Sequence, residues 1–126
     1  MLSLSTPLCV AAAQTPSAPG DLQRNLQTHL ACVRAAAHQG VQLLQFPELS
    51  LIGYEPALMA GHVLTADHSV LAALRQAAQS YGMALVVGVA SALTHVFRGA
   101  FSYLPMLAGI TIGVVVLPSV LAPDAS

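Results

Sequence analysis

The stretch Val41-Gln42-Leu43-Leu44-Gln45-Phe46-Pro47-Glu48-Leu49-Ser50-Leu51-Ile52-Gly53-Tyr54-Glu55-Pro56 opens as an apolar run and then breaks. Residues 41–46 have the length and composition of a strand. Pro47, which has no N–H for a ladder, bounds it. Residues 48–56 read as loop, so Glu48 stands just past the carboxyl end of the strand.

Working upstream, Gly40 is placed to end a helix as its C′ residue. Leu22, Leu26, Leu30, Val33 and Ala37 recur at helical spacing and predict one apolar stripe to bury. Asp21 sits where a carboxylate would cap the first turn and favour the positive end of the helix dipole. A loop rich in Pro and Gly over residues 14–20 separates this helix from a first short strand at residues 8–13. Downstream, a second helix is predicted from near Asp67 to Tyr81, with Val70, Leu71, Leu74, Ala77, Ala78 and Tyr81 on one face and Gly82 closing it. Residues 84–89 then read as a fully buried strand. The order strand, helix, strand, helix, strand argues for an α/β layer with right-handed crossovers. Sites in such sheets cluster beyond the carboxyl ends of the strands, where Glu48 lies.

Composition narrows the function classes. Only 7% of the 126 residues are charged and 56% are hydrophobic, against about 25% charged in an ordinary soluble domain. The length fits one domain or a piece of a larger one. The four basic residues are all Arg and the formal net charge is -1, so no basic stripe exists and nucleic-acid binding is excluded. Cys9 and Cys32 lie in apolar stretches without metal-ligand spacing and read as buried structural cysteines. No disulfide framework is predicted, and a reducing, cytoplasmic setting is expected. His29, His38, His62, His68 and His95 form no zinc pattern and read as surface or loop residues, and Glu55 reads as solvated. No secretory leader is predicted, because the first basic residue is Arg24 and Ser3, Ser5, Thr6 and Pro7 interrupt any apolar core.

The segment Phe46-Pro47-Glu48, followed by Gly53-Tyr54, resembles the motif of the carbon–nitrogen hydrolase (nitrilase/amidase) superfamily in which a strand ends in Phe-Pro-Glu before a Gly-Tyr loop. The resemblance extends back to the strand that ends at Gln14, to Gly20-Asp21 with Asn25, and to the joint Ala37-His38-Gln39-Gly40-Val41. It extends forward to Tyr81-Gly82 and the strand Val86-Val87-Gly88-Val89. It implies a partial α-β-β-α sandwich beginning β-α-β-α-β. It also implies hydrolysis of a non-peptide C–N bond in a small amide, nitrile or carbamoyl compound, without metal or organic cofactor.

In such enzymes one Glu takes a thiol proton and the thiolate attacks the carbon. A Lys stabilises the developing charge, and a second Glu supports the set. Only the first Glu carries over here, as Glu48, the expected general base. Its strand end and Pro-restricted backbone would aim the carboxylate among apolar neighbours. Tyr54 matches the Tyr of the loop and is expected to shape the substrate pocket. The departures are the absence of Lys, the placement of both cysteines too early to supply the nucleophile, and the absence of the second Glu, Asp124 being the only acid after Asp67. Arg98 would not replace a Lys without cost. The family commonly pairs subunits, which leaves a homo-oligomer open.

Residues 1–90 are thus read as the N-terminal part of such a domain and residues 91–126 as a divergent apolar tail. Residues 101–122 carry no charge. Where the family would continue with a Gly-turned hairpin and a Tyr-Arg-Lys-type strand, translation out of frame would leave such a tail on an inactive fragment. A different class of reading takes residues 101–122 as a spanning helix that holds a non-enzymatic interaction module at a membrane. Against it stand Pro105, Gly109, Gly113 and Pro118 and the lack of flanking basic residues beyond Arg98. A third reading has the chain complement a separate C-terminal half bearing Lys and Cys.

Overall fold

The computed structural model describes residues 7–53, 55, 61, 63–65, 67–92, 101–107 and 110–117, those from 91 onward by their backbone. The elements run β1 (Val10–Ala12), α1 (Leu22–His38), β2 (Leu43–Gln45), α2 (Ser69–Tyr81), β3 (Ala84–Ala92), β4 (Phe101–Leu107) and β5 (Ile110–Leu117). They begin in the β-α-β-α-β order expected. The strands form one sheet in the order β1-β2-β3-β5-β4. β1, β2 and β3 are parallel, in the register Val10↔Leu43 and Leu43↔Ala84.

Local chemistry sets the helix ends. The Asp21 side chain accepts from the Arg24 N–H at 3.0 Å, satisfying one of the orphan donors of the first turn of α1. Gly40 takes φ +74 just past the other end, the left-handed geometry that glycine adopts without a Cβ penalty. Gly82 caps α2 in the same conformation, and the chain turns directly into β3.

Both helices contribute to a single core. Leu26, Val33 and Ala36 of α1 and Val70, Leu71, Leu74 and Ala78 of α2 join Leu44, Phe46, Leu85, Val87 and Val89 of the strand segments. Full burial of each larger aliphatic side chain contributes about 1.5–3 kcal/mol. The alternation places Leu44 and Leu85 inward, whereas Val10, Ala12 and Gln45 point outward and are exposed. One sheet with helices on one face supplies two of the layers of an α-β-β-α sandwich.

The stripe on α1 is rotated from the one expected. Its buried residues are Asn25, Leu26, His29, Val33 and Ala36, while Leu22, Leu30 and Ala37 pack only partly against the core. Two polar residues share the inward face because they have polar partners there, described below.

The tail differs more. Residues 101–107 and 110–117 are strands, so the alternative reading of residues 101–122 as a spanning helix does not hold. β5 pairs antiparallel with all of β3 but Ala84, from Leu85↔Leu117 to Ala92↔Ile110, and β4 pairs antiparallel with β5. The physical reason lies in the β-branched run of β5, which suits a central strand. Pro105 is accommodated on the edge strand β4, within the irregularity between Tyr103 and Met106. Among the described residues no helix is long and apolar enough to cross a membrane.

Candidate active site

β2 ends at Gln45, and the chain stays beside β3 for one more residue, the Phe46 N–H donating to the Val86 carbonyl at 2.8 Å. It then turns sharply. The Ser50 N–H donates to the Pro47 carbonyl at 3.1 Å, and the N–H groups of Ile52 and Gly53 both donate to the Leu49 carbonyl, at 3.1 and 2.8 Å. Leu49 takes φ 54, a left-handed conformation that is uncommon for a residue with a Cβ. Burial holds it there, since Leu49, Leu51 and Ile52 are all 0% exposed. Glu48 is the exception in this segment and is exposed.

The parallel sheet therefore carries Glu48 beyond the carboxyl end of β2. Among the described residues its carboxylate has no hydrogen-bond or salt-bridge partner. The apolar neighbours do not enclose it as expected: they turn inward and leave the carboxylate facing out.

The close approach of this loop to β3 depends on Gly88. A Cβ there would lie 2.9 Å from both the Glu48 carbonyl carbon and the Pro47 oxygen, and would overlap the Leu49 nitrogen. Glycine at this register position lets the Pro47-Glu48-Leu49 backbone lie against the strand.

A buried polar network fastens the loop from the other side. The Asn25 side chain accepts from the Ala18 N–H at 2.7 Å and donates to the carbonyls of Ala18 and Leu51, both at 2.8 Å. The Ser17 hydroxyl donates to the Ser50 carbonyl at 2.8 Å, and the Gly20 N–H donates to the Ile52 carbonyl at 2.9 Å. His29 places Nδ1 2.7 Å from the Asn25 carbonyl and Nε2 2.8 Å from Ser50 Oγ. Its ring stacks on Phe46 with centroids 4.1 Å apart. Asn25, His29 and Ser50 are each 1% exposed. Every polar atom named here is paired, which burial at this depth requires.

The surface or loop reading of His29 is thus corrected: it lies in the core. Its spacing held the signal, three residues after Leu26 and four before Val33 on the buried stripe. Burial lowers the His29 pKa from its ordinary 6.5, opposed by the hydrogen bond to the Asn25 carbonyl. The folded imidazole is therefore neutral at pH 7, as is most of the unfolded population. As pH falls below 6.5 the unfolded chain binds a proton that the folded one resists, so stability is lost toward acid. The expected slope reaches at most about 1.4 kcal/mol per pH unit. Urea midpoints measured between pH 7.5 and 5.5 should fall, and His29→Phe should remove that part of the decline. An unchanged slope in the variant would contradict this assignment.

The remaining residues singled out from sequence separate from Glu48. Cys9 precedes β1 at the amino end of the parallel strands, its N–H donating to Gln42 Oε1 at 3.0 Å. It is exposed rather than buried, and Cys32 is half-buried on α1. Burial pushes the Cys32 thiol up, away from the thiolate a nucleophile needs. His68 caps α2, its Nδ1 accepting from the Val70 N–H at 3.1 Å, and Glu55 is exposed. Tyr54, His62, His95 and Arg98 lie outside the described residues. Among the described residues no three His, Cys, Asp or Glu side chains converge as a metal site.

Parallel strands with a carboxylate beyond one strand end serve many chemistries, and comparison with known proteins identifies the family. The sequence model of the carbon-nitrogen hydrolase family matches residues 9–97, and the chain belongs to that family. Among solved structures, it is similar to the NitN amidase from Nesterenkonia sp. AN1, with 31% identity and a TM-score of 0.60 over 68% of this chain and 34% of that one. A cysteine-to-alanine mutant of the Nesterenkonia sp. AN1 amidase in complex with butyramide aligns at 32% identity and a TM-score of 0.58, covering 66% of this chain and 32% of the other. A third structure has the acetamide moiety of fluoroacetamide covalently added at the active-site cysteine. It aligns at 28% identity and a TM-score of 0.60, over 71% of this chain and 35% of that one. The chain thus spans about a third of the length of the amidase chains it matches.

Proposed function

We propose that this chain supplies the general base of a hydrolase for non-peptide C–N bonds, with Glu48 as that base and a small amide, nitrile or carbamoyl compound as substrate. The observation that carries the reading is the exposed Glu48 carboxylate at the carboxyl end of β2, followed directly by the buried residues 49–53. In the proposed reaction Glu48 accepts the thiol proton as sulfur attacks an amide carbon. It returns the proton to the leaving nitrogen, so that ammonia or an amine departs and a thioester remains. Glu48 then takes a proton from water, the hydroxide adds to the thioester, and the proton returns to the departing sulfur. Tyr54 would line the substrate pocket.

The chain holds no Lys, and its two cysteines sit at the amino end of the sheet and on α1. We therefore assign it no turnover by itself. Residues 91–126 are taken as a divergent tail, and reading the coding DNA beyond the Ala90 codon in all three frames tests this: Tyr-Arg-Lys and a later Cys in a shifted frame support it. Two free cysteines support a cytoplasmic setting.

The activity is tested by co-expressing the chain with a C-terminal half of a family member that bears the Lys and Cys. Ammonia release from simple amides is expected from the pair and not from this chain alone. Inactivity of a pair that demonstrably associates would remove the reading.

A further inference from the structure

We propose that His29 is the positioning residue for the Glu48 carboxylate, gripping the chain two residues before it and two residues after it. On the near side the imidazole stacks on Phe46, with ring centroids 4.1 Å apart and an interplanar angle of 26°. On the far side its Nε2 lies 2.8 Å from Ser50 Oγ. Pro47, Glu48 and Leu49 form the turn between those two holds, and of these only Glu48 is exposed. This inference rests on Glu48 being the base; its physical content, a turn clamped from both flanks by one side chain, does not.

The chemistry of the clamp is determined by its partners. The Asn25 carbonyl can only accept, so Nδ1 carries the ring proton in the 2.7 Å contact. Nε2 of the neutral ring is then an acceptor and the Ser50 hydroxyl donates to it. Ser50 is committed in every polar atom: its N–H donates to the Pro47 carbonyl and its own carbonyl accepts from the Ser17 hydroxyl. A hydroxyl with one remaining direction, aimed at a ring fixed by stacking and by its own helix, leaves the turn little freedom. His29 sits in the interior of the 17-residue α1, so the anchor moves only if the helix does. Sites held by rigid elements keep a reacting group within the narrow tolerance that catalysis demands. Phe at this position could supply the stack and Ser or Asn a hydrogen bond, whereas the imidazole supplies both at once, with Nδ1–H on the Asn25 carbonyl and Nε2 accepting from Ser50. Among the described residues no charged group contributes to the titration of this ring; burial and the Asn25 carbonyl are its causes.

Amide hydrogen exchange of the full chain, followed by mass spectrometry, tests the clamp without recourse to hydrolysis. Ser50→Ala removes the far hold, and His29→Phe removes the same bond while keeping a ring against Phe46. Each is expected to speed exchange in the 47–53 segment about tenfold, the loss expected for one buried hydrogen bond, with α2 and β3 peptides unchanged. Both changes break the Ser50–His29 bond, and His29→Phe also removes the Nδ1 contact within α1, so in the 47–53 segment the double variant is expected to add nothing to His29→Phe alone. With 15N-labelled histidine, the wild-type His29 resonances should report a neutral ring protonated at Nδ1, and Ser50→Ala should shift Nε2 alone. Equal acceleration in all peptides, unchanged exchange in the loop, additive effects in the double variant, or a ring protonated at Nε2 would each overturn the proposal. Should Glu48 prove dispensable for ammonia release while these exchange results hold, the clamp stands and the general-base reading fails. The converse pattern removes the clamp alone.

Discussion

Glu48→Gln, introduced into the chain paired with a Lys- and Cys-bearing half, is expected to lower ammonia release by about two to four orders of magnitude, the range for loss of a positioned general base. The amide keeps the shape and hydrogen-bonding reach of the carboxylate but cannot take the thiol proton. Since Glu48 is exposed and without a hydrogen-bonded partner among the described residues, the substitution should change stability by no more than about 0.5 kcal/mol. That separation makes the result interpretable: equal thermal midpoints with lost activity assign a chemical role. Ammonia release within a few-fold of the unsubstituted pair would show that another group takes the proton.

Gly88→Ala is expected to destabilise the fold by about 3 kcal/mol or more, at the upper end for overpacking. The added methyl would meet backbone atoms of Pro47, Glu48 and Leu49. A flexible side chain could rotate away from such a contact, but these atoms belong to a turn closed by its own hydrogen bonds. Gly88 is also paired with Val114 in the centre of β3, so the strand has little room to retreat. The urea midpoint should drop, and exchange should rise first in residues 47–53. A midpoint equal to that of wild type would mean that the turn does not lie against β3 as described. The same variant links fold to chemistry, because displacing this turn moves Glu48 while leaving its carboxylate intact.

Much of this arrangement was legible from residue order. Asp21, Gly40 and Gly82 marked the helix ends because caps and left-handed turns need particular side chains in the chain itself. Pro47 marked the end of β2 for the same kind of reason, and Phe46-Pro47-Glu48 with its neighbours pointed to the family that the match over residues 9–97 then showed. Glu48 beyond a parallel strand followed from the alternation of elements. The site was less legible where its parts come from afar. His29 looked unremarkable beside Gln27 and Thr28, since its partners Phe46 and Ser50 are distant in sequence. The apolar run after residue 100 permitted a helix or strands by hydrophobicity alone, and pairing of β5 along β3 decided between them.

Sequence by itself therefore determined the types and order of the first five elements, the helix caps and the carboxylate at the strand end, because these depend on local backbone preference and short-range periodicity. Tertiary structure alone decided which face of α1 is buried, why residue 88 has no side chain, how the turn around Glu48 is gripped, and that the apolar tail extends the sheet. Those outcomes depend on contacts between residues far apart in the chain, whose energies no local pattern records.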